Sequence, residues 1–185
     1  MSKYGNTEKI YINEIIRVTY KCNWSCKFCN VLKTNNFWEN DVSDIEIIHQ
    51  ILNLVRKYTT KERWNLILSF SGWEPTLSKN LTNYIRLAKA IWIYTVEIQT
   101  NGTKLFKEKE YIFDLIEAWL DEIFLAQHSW DVLVNKELWS YYRIEDFIDW
   151  IKYIKENKIH KKISIYLNIV VTSINIFFLY NYIEF

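Results

Sequence analysis

Apolar positions along this chain follow two periods in turn. "EIIRVTY" (14–20) reads as a strand that runs straight into a polar stretch, "KCNWSCKFCN". "VSDIEIIHQILNLVRKY" (42–58) reads as a helix, with Ser43 and Glu46 forming a capping box and Ile45, Ile48, Leu52 and Val55 falling on one face. "NLILSF" (65–70) is a short buried strand that stops at "SGWEP". "SKNLTNYIRLAKAI" (78–91) is helical, with Ser78 as its N-cap. The strand "YTVEIQT" (94–100), the helix "KEKEYIFDLIEAWL" (107–120) and the strand "EIFLAQ" (122–127) follow. "RIEDFIDWIKYIKEN" (143–157) is a helix with Ile144, Phe147, Ile148, Ile151 and Ile154 toward the core. "KISIYLNIVVT" (162–172) is a fifth strand, and "SINIFFLYNYIEF" (173–185) begins another helix.

Strand and helix therefore alternate. That pattern predicts an α/β fold with a parallel sheet and right-handed crossovers. No linker, repeat or low-complexity segment divides the chain, so residues 1–185 read as one domain. Four polar stretches each follow the C-terminal end of a strand: the cysteine loop, "SGWEP", "QTNGT" and "QHSWD". In parallel α/β folds that edge binds ligands, so these stretches converge on one rim.

Composition narrows the class. Half of the residues are hydrophobic and 17% are aromatic, ample for a core and contrary to disorder. A net charge of +1 without a basic patch argues against nucleic acid as the main partner. No apolar run approaches a membrane span and the first residues lack an apolar signal core, which together predict a soluble, cytoplasmic protein with no membrane partner. Glycine and proline are scarce, at three and one. Three of these four are Gly72, Pro75 and Gly102, inside two of the rim stretches. Where substitution has removed most Gly and Pro, the survivors mark backbone that little else can form.

All three cysteines, Cys22, Cys26 and Cys29, lie in the first rim loop. An odd count in a reducing compartment disfavours disulfides. Three thiols fit a [4Fe–4S] cluster with one iron left open. A zinc site would need a fourth ligand, from His49, His128 or His160. A redox Cys-x-x-Cys would use Cys26 and Cys29 and leave Cys22 unexplained.

The loop resembles the Cys-x3-Cys-x-aromatic-Cys signature of the radical S-adenosylmethionine (SAM) superfamily, with Phe28 at the aromatic position. "SGWEP" is similar to that family's Gly-Gly-Glu-Pro motif, "QTNGT" to its Thr-Asn-Gly stretch and "HSWD" to a His-bearing segment common there. The resemblance covers residues 14–172 and implies a partial (β/α) barrel of the radical SAM type, with about five strand–helix units visible. The family core usually has six, so a C-terminally truncated core is the expectation, with a naturally short form closed by a partner or a dimer as the alternative. The resemblance implies that Cys22, Cys26 and Cys29 each bind one iron and that SAM chelates the fourth. It implies reductive cleavage of SAM to a 5′-deoxyadenosyl radical, which abstracts hydrogen from a substrate. A one-electron reductant such as flavodoxin or ferredoxin would feed the cluster.

By the same resemblance, the stretch of Gly72 and Glu74 receives the SAM ammonium, and Gly72 permits close backbone approach. Phe28 touches adenine, and Thr100 and Asn101 face the SAM methionine or ribose. His128 contacts substrate or ribose, and Asn168 is an inward polar residue of the fifth strand. Each also has a plain structural reading: Glu74 as a cap, Phe28 as core, Thr100 and Asn101 as a turn with Gly102, and His128 as a surface histidine. Trp73 replaces the motif's second glycine, and Ala126 stands where many relatives carry a SAM-bonding Ser. The motif layout looks most like members that modify peptides or proteins. A glycyl-radical-enzyme activating protein, a small-molecule substrate and a non-catalytic iron–sulfur or zinc module are the alternatives.

Overall fold

The computed structural model describes residues 11–29, 41–138 and 144–177. Five strands alternate with helices, in the order β1 (Ile12–Arg17), α1 (Asp44–Lys57), α2 (Thr60–Arg63), β2 (Leu66–Ser71), α3 (Leu81–Ala90), β3 (Thr95–Thr100), α4 (Thr103–Lys107), α5 (Tyr111–Glu117), β4 (Glu122–Ala126), α6 (Val132–Glu137), α7 (Ile144–Glu156) and β5 (Ser164–Asn168). The strands form one sheet in sequence order, and every neighbouring pair is parallel. This is the α/β arrangement that the alternating pattern predicts.

Strand alternation gives the sheet two unlike faces. One carries Ile16, Leu66, Leu68, Phe70, Val96, Ile98, Ile123 and Leu125, all buried in the core with the helices. Helices contribute Ile47 and Ile51 from α1, Tyr84 and Ile85 from α3, and Phe147, Trp150 and Ile154 from α7. Phe106 of α4 stands edge-on to Phe147 and Trp150, with ring centroids 5.6 Å away in both cases. Burying each such ring contributes about 1.5–3 kcal/mol. The opposite face carries Ile15, Arg17, Ser69, Ser71, Glu97, Gln99, Glu122 and Phe124, a mixed and largely polar set.

Several expectations need correction. The α1 face of Ile45, Ile48, Leu52 and Val55 is exposed, and α1 buries Ile47, Ile51 and Leu54 instead. The helix carries two apolar stripes at helical spacing, and periodicity alone cannot choose between them. Packing against α3 and β1 makes the choice. Ser43 does cap α1, accepting from the Glu46 amide at 3.3 Å. The Glu46 carboxylate, however, accepts from Gln50. The expected helix 107–120 is shorter, α5 at Tyr111–Glu117; a separate helix, α4, precedes it and ends at Lys107, because the Glu108 backbone (φ −117°, ψ 73°) is not helical. α3 starts later than expected, after Asn80, because Pro75–Leu77 makes a 3₁₀ turn that Ser78 closes. The expected terminal helix is described only to residue 177, as a turn in which the Ile176 amide bonds the Thr172 carbonyl at 3.1 Å. Its remainder lies outside the described residues. Among the described residues, no helix is long and apolar enough to cross a membrane.

Candidate functional site

The cysteine loop leaves β1 under tight control. The Asp41 carboxylate accepts from the Thr19 hydroxyl (2.9 Å), the Tyr20 amide (2.8 Å) and the Val42 amide (3.0 Å), and pairs with the Lys21 ammonium at 3.2 Å. Burial would raise the Asp41 pKa, but these donors outweigh it and hold the carboxyl below its ordinary value. Trp24 is buried, and its indole N–H donates to the Thr103 hydroxyl at 2.9 Å. The Cys22 sulfur accepts from the Trp24 amide at 3.3 Å. The Cys29 amide donates to the Cys26 carbonyl at 3.2 Å, curling the loop so that all three cysteines line one cleft. Burial pushes the Cys22 thiol up, opposed by the Trp24 amide.

The "SGWEP" stretch is clipped to the same loop. The Trp73 amide donates to the Thr19 carbonyl (3.3 Å) and the Glu74 amide to the Lys21 carbonyl (2.9 Å). Gly72 has φ +134°, and a Cβ there would lie 2.5 Å from the Thr19 carbonyl oxygen. The close approach that Gly72 permits is therefore to the neighbouring strand end. Trp73 lines the cleft, its ring edge-on to Tyr20 at 6.0 Å.

Glu74 departs from expectation. It is fully buried, and Oε1 accepts from the Thr76 amide (3.0 Å), the Thr76 hydroxyl (2.5 Å) and the Thr100 hydroxyl (2.7 Å). Oε2 accepts from the Asn101 amide at 2.7 Å. Burial pushes its pKa up and these donors pull it back. The carboxylate is thus occupied inside the protein, as a cap and a strut between the β2 and β3 loops. Gly72 and Trp73, not Glu74, line the cleft from this stretch.

Asn101 carries the strut onward. Its side-chain amide nitrogen donates to Asn23 Oδ1 at 2.7 Å and lies 4.0 Å from the Cys22 sulfur, while its Oδ1 accepts from the Thr103 amide at 3.0 Å. Thr100 and Asn101 both line the cleft. Gly102 has φ +77°, and a Cβ there would meet Leu125 and Phe106 side chains at 2.5 Å. Across the cleft, His128 is buried rather than on the surface. Its Nδ1 accepts from the Val170 amide at 3.2 Å, which fixes the neutral tautomer with the proton on Nε2. Burial lowers its pKa to about 4. Phe28 stands edge-on to the His128 ring at 4.6 Å.

The cleft measures about 510 Å³, within the roughly 300–1,000 Å³ of small-molecule sites. It gathers Cys22, Cys26, Cys29, Phe28, Gly72, Thr100, Asn101, His128 and Asn168; of the expected residues only Glu74 stands behind it. Ala126 is on the wall without a hydroxyl to offer. Sequence reasoning missed Arg17 and Gln99, which also line it. It missed Asn175 as well, a fully buried side chain that donates to the His128 carbonyl (2.7 Å) and the Val170 carbonyl (2.8 Å) and so holds the end of β5 against His128. The available signal was an Asn three residues after Thr172 at a strand end, the spacing of a side-chain-capped turn. Three thiols on one loop beside this cleft suit a [4Fe–4S] cluster with one open iron, and the adjoining polar groups suit SAM.

Comparison with known proteins agrees. The chain matches the Radical SAM superfamily over residues 16–175. It is 33% identical over 112 residues to the 7,8-dihydro-6-hydroxymethylpterin dimethyltransferase of Methanocaldococcus jannaschii, covering 60% of this chain and 21% of that protein. It is 28% identical over 170 residues to a probable GTP 3′,8-cyclase of Sulfurisphaera tokodaii, covering 92% of this chain and 50% of that one. The chain thus spans half the cyclase's length, or less, in these relatives. Among solved structures, Streptococcus suis SuiB bound to S-adenosylmethionine superposes with a TM-score of 0.64 at 18% identity, over 94% of this chain and 36% of SuiB. BtrN in complex with AdoMet and 2-DOIA gives 0.54 at 18%, over 85% and 56%. The family match begins at the end of β1 and ends in the turn after β5, so it takes in β2 to β5 and every loop on the rim: the chain belongs to the radical SAM superfamily.

Proposed function

We propose that this chain is the radical-generating core of an enzyme that acts on a peptide or protein. The observation that carries the reading is the shared cleft, where three thiols face Gly72, Thr100, Asn101 and His128. When bound, the cluster and SAM supply a 5′-deoxyadenosyl radical at the expense of one electron from a reductant such as flavodoxin or ferredoxin. The chain's own residues do the rest. Asp41 and Glu74 set the thiol loop, Asn101 steadies Cys22, and the Nε2–H of His128 offers a donor to SAM or substrate. Phe28 and Trp73 give apolar walls that exclude water from a reactive intermediate.

A second reading, a small heterocyclic substrate, draws on the pterin- and GTP-directed names of the curated relatives. The test is anaerobic reconstitution, reduction and mass spectrometry for 5′-deoxyadenosine. Formation of 5′-deoxyadenosine supports an enzyme. A cluster whose electron paramagnetic resonance signal ignores SAM, with no 5′-deoxyadenosine, would leave only an iron–sulfur module.

A further inference from the structure

The inner face of the sheet bears a row of residues that the fold leaves unserved. Strand register places Ile15, Ser69, Glu97, Glu122 and Ser164 side by side across β1 to β5. Two residues further on, the next row includes Arg17, Ser71, Gln99 and Phe124, which line the cleft beneath the thiols. The first row therefore lies about 7 Å deeper on the same face, at two residues of strand rise. Ile15 lines the cleft too, so the two levels are continuous.

Glu97 and Glu122 are neighbours on adjacent strands, about 5 Å apart at the backbone. Glu97 is only 8% exposed. Among the described residues, no hydrogen bond or ion pair reaches either carboxylate. Lys89 is committed to Asp121 at 2.6 Å. Burial, then the charges of Glu97 and Asp121, push the Glu122 pKa up. Ser69 supplies a second, independent sign. It is 4% exposed, its hydroxyl has no partner, and it stands beside Glu97 on the face that Ser71 presents to the cleft. Like charges directly opposite on a sheet are destabilising, and a buried hydroxyl without a partner costs more.

We propose that the row Ser69–Glu97–Glu122 is a substrate subsite that takes a cationic, multi-donor group, a primary ammonium or a guanidinium. The two carboxylates supply the charge and the Ser69 hydroxyl a further acceptor, and the cation brings N–H donors to all three. The substrate class is then an amine, and within the peptide reading a lysine or arginine side chain entering end-first. The rest of that side chain lies along Arg17, Gln99 and Phe124, below the thiols. The proposal rests on reading the cleft as a radical SAM site, and its test is separate from SAM cleavage.

The test uses the whole, cluster-loaded chain and simple probes at matched ionic strength: n-butylammonium and propylguanidinium, with n-butanol and butyrate as neutral and anionic controls. Binding is read by protein NMR titration and by thermal shift. The expected result is saturable binding of the two cations alone, weakened tenfold or more in Glu97→Gln/Glu122→Gln. Cations that act no better than sodium chloride, or that bind the double variant equally well, would overturn the proposal. If the double variant does not fold, Glu122→Gln, at the less buried of the two positions, gives the same comparison. Cation binding without 5′-deoxyadenosine would count against the proposed activity and leave the subsite standing. 5′-Deoxyadenosine without cation binding would do the reverse.

Discussion

Glu74→Gln separates a strut from a cofactor contact. The substitution keeps shape and volume but turns one acceptor into a donor. Oε1 serves three donors and Oε2 serves one, so the amide settles with its nitrogen at the Oε2 position. There it faces the Asn101 amide, which donated at 2.7 Å, and two donors now oppose each other. A buried donor left without an acceptor costs about 1–3 kcal/mol. For a domain of this size each kcal/mol moves Tm by about 2–4 °C. Circular dichroism melting of the cluster-free variant should therefore show a fall of about 2–12 °C. Asn101 also holds Asn23 and lies against Cys22, so iron per chain after reconstitution should fall alongside. Glu74→Ala removes the acceptor for all four donors and should cost more. An unchanged Tm with SAM affinity lost would refute the strut and restore the carboxylate as a direct ligand of the SAM ammonium.

Cys26→Ala should abolish bound iron and sulfide, and a variant retaining both in full would contradict the iron–sulfur assignment. Gly72→Ala forces a Cβ to within 2.5 Å of the Thr19 carbonyl at a φ that side chains avoid, and should cost about 1–3 kcal/mol in chemical denaturation. Ile51→Ala should destabilise by about 2–5 kcal/mol, while Leu52→Ala on the exposed face of α1 should stay within about 0.5 kcal/mol. The reverse order would mean that α1 packs by its other stripe. His128 has a folded pKa of about 4, below its ordinary 6.5, so the unfolded chain binds the extra proton between those values. Its stabilising contribution is complete above about pH 6.5 and drains away as pH falls toward 4. His128→Gln should flatten that part of the curve of Tm against pH.

The sequence was most informative where one property decided the outcome. Period-2 and period-3.6 runs placed all five strands and the main helices, and strand ends placed the rim. The cysteine loop, Gly72 and Gly102 were legible because thiol spacing and positive φ admit few substitutes. Two kinds of feature were not. α1 has two apolar stripes of equal period, and only the surface it docks against selects Ile47, Ile51 and Leu54. The role of Glu74 depends on which donors surround it, and those come from Thr76, Thr100 and Asn101. The two nearest in sequence could be guessed; the two that cross from the β3 loop could not.

The missed subsite was half visible. In "YTVEIQT" the apolar Val96 and Ile98 alternate with Glu97 and Gln99, the signature of a strand with one polar face. In an open sheet such a face meets water, and its carboxylates need no explanation. Here the face is the inside of a curved sheet capped by the rim loops, and Glu97 keeps only 8% of its surface. The same alternation that reads as solvent exposure in sequence leaves Glu97 a nearly buried residue in three dimensions. Whether a polar strand face is surface or site is thus set by closure, which strands contribute jointly and none encodes alone. The rim loops achieve that closure through Asp41 and Glu74, each a carboxylate that accepts backbone N–H groups at a loop junction. Because these ties are made entirely within the protein, the cluster-free chain should already show a cooperative unfolding transition.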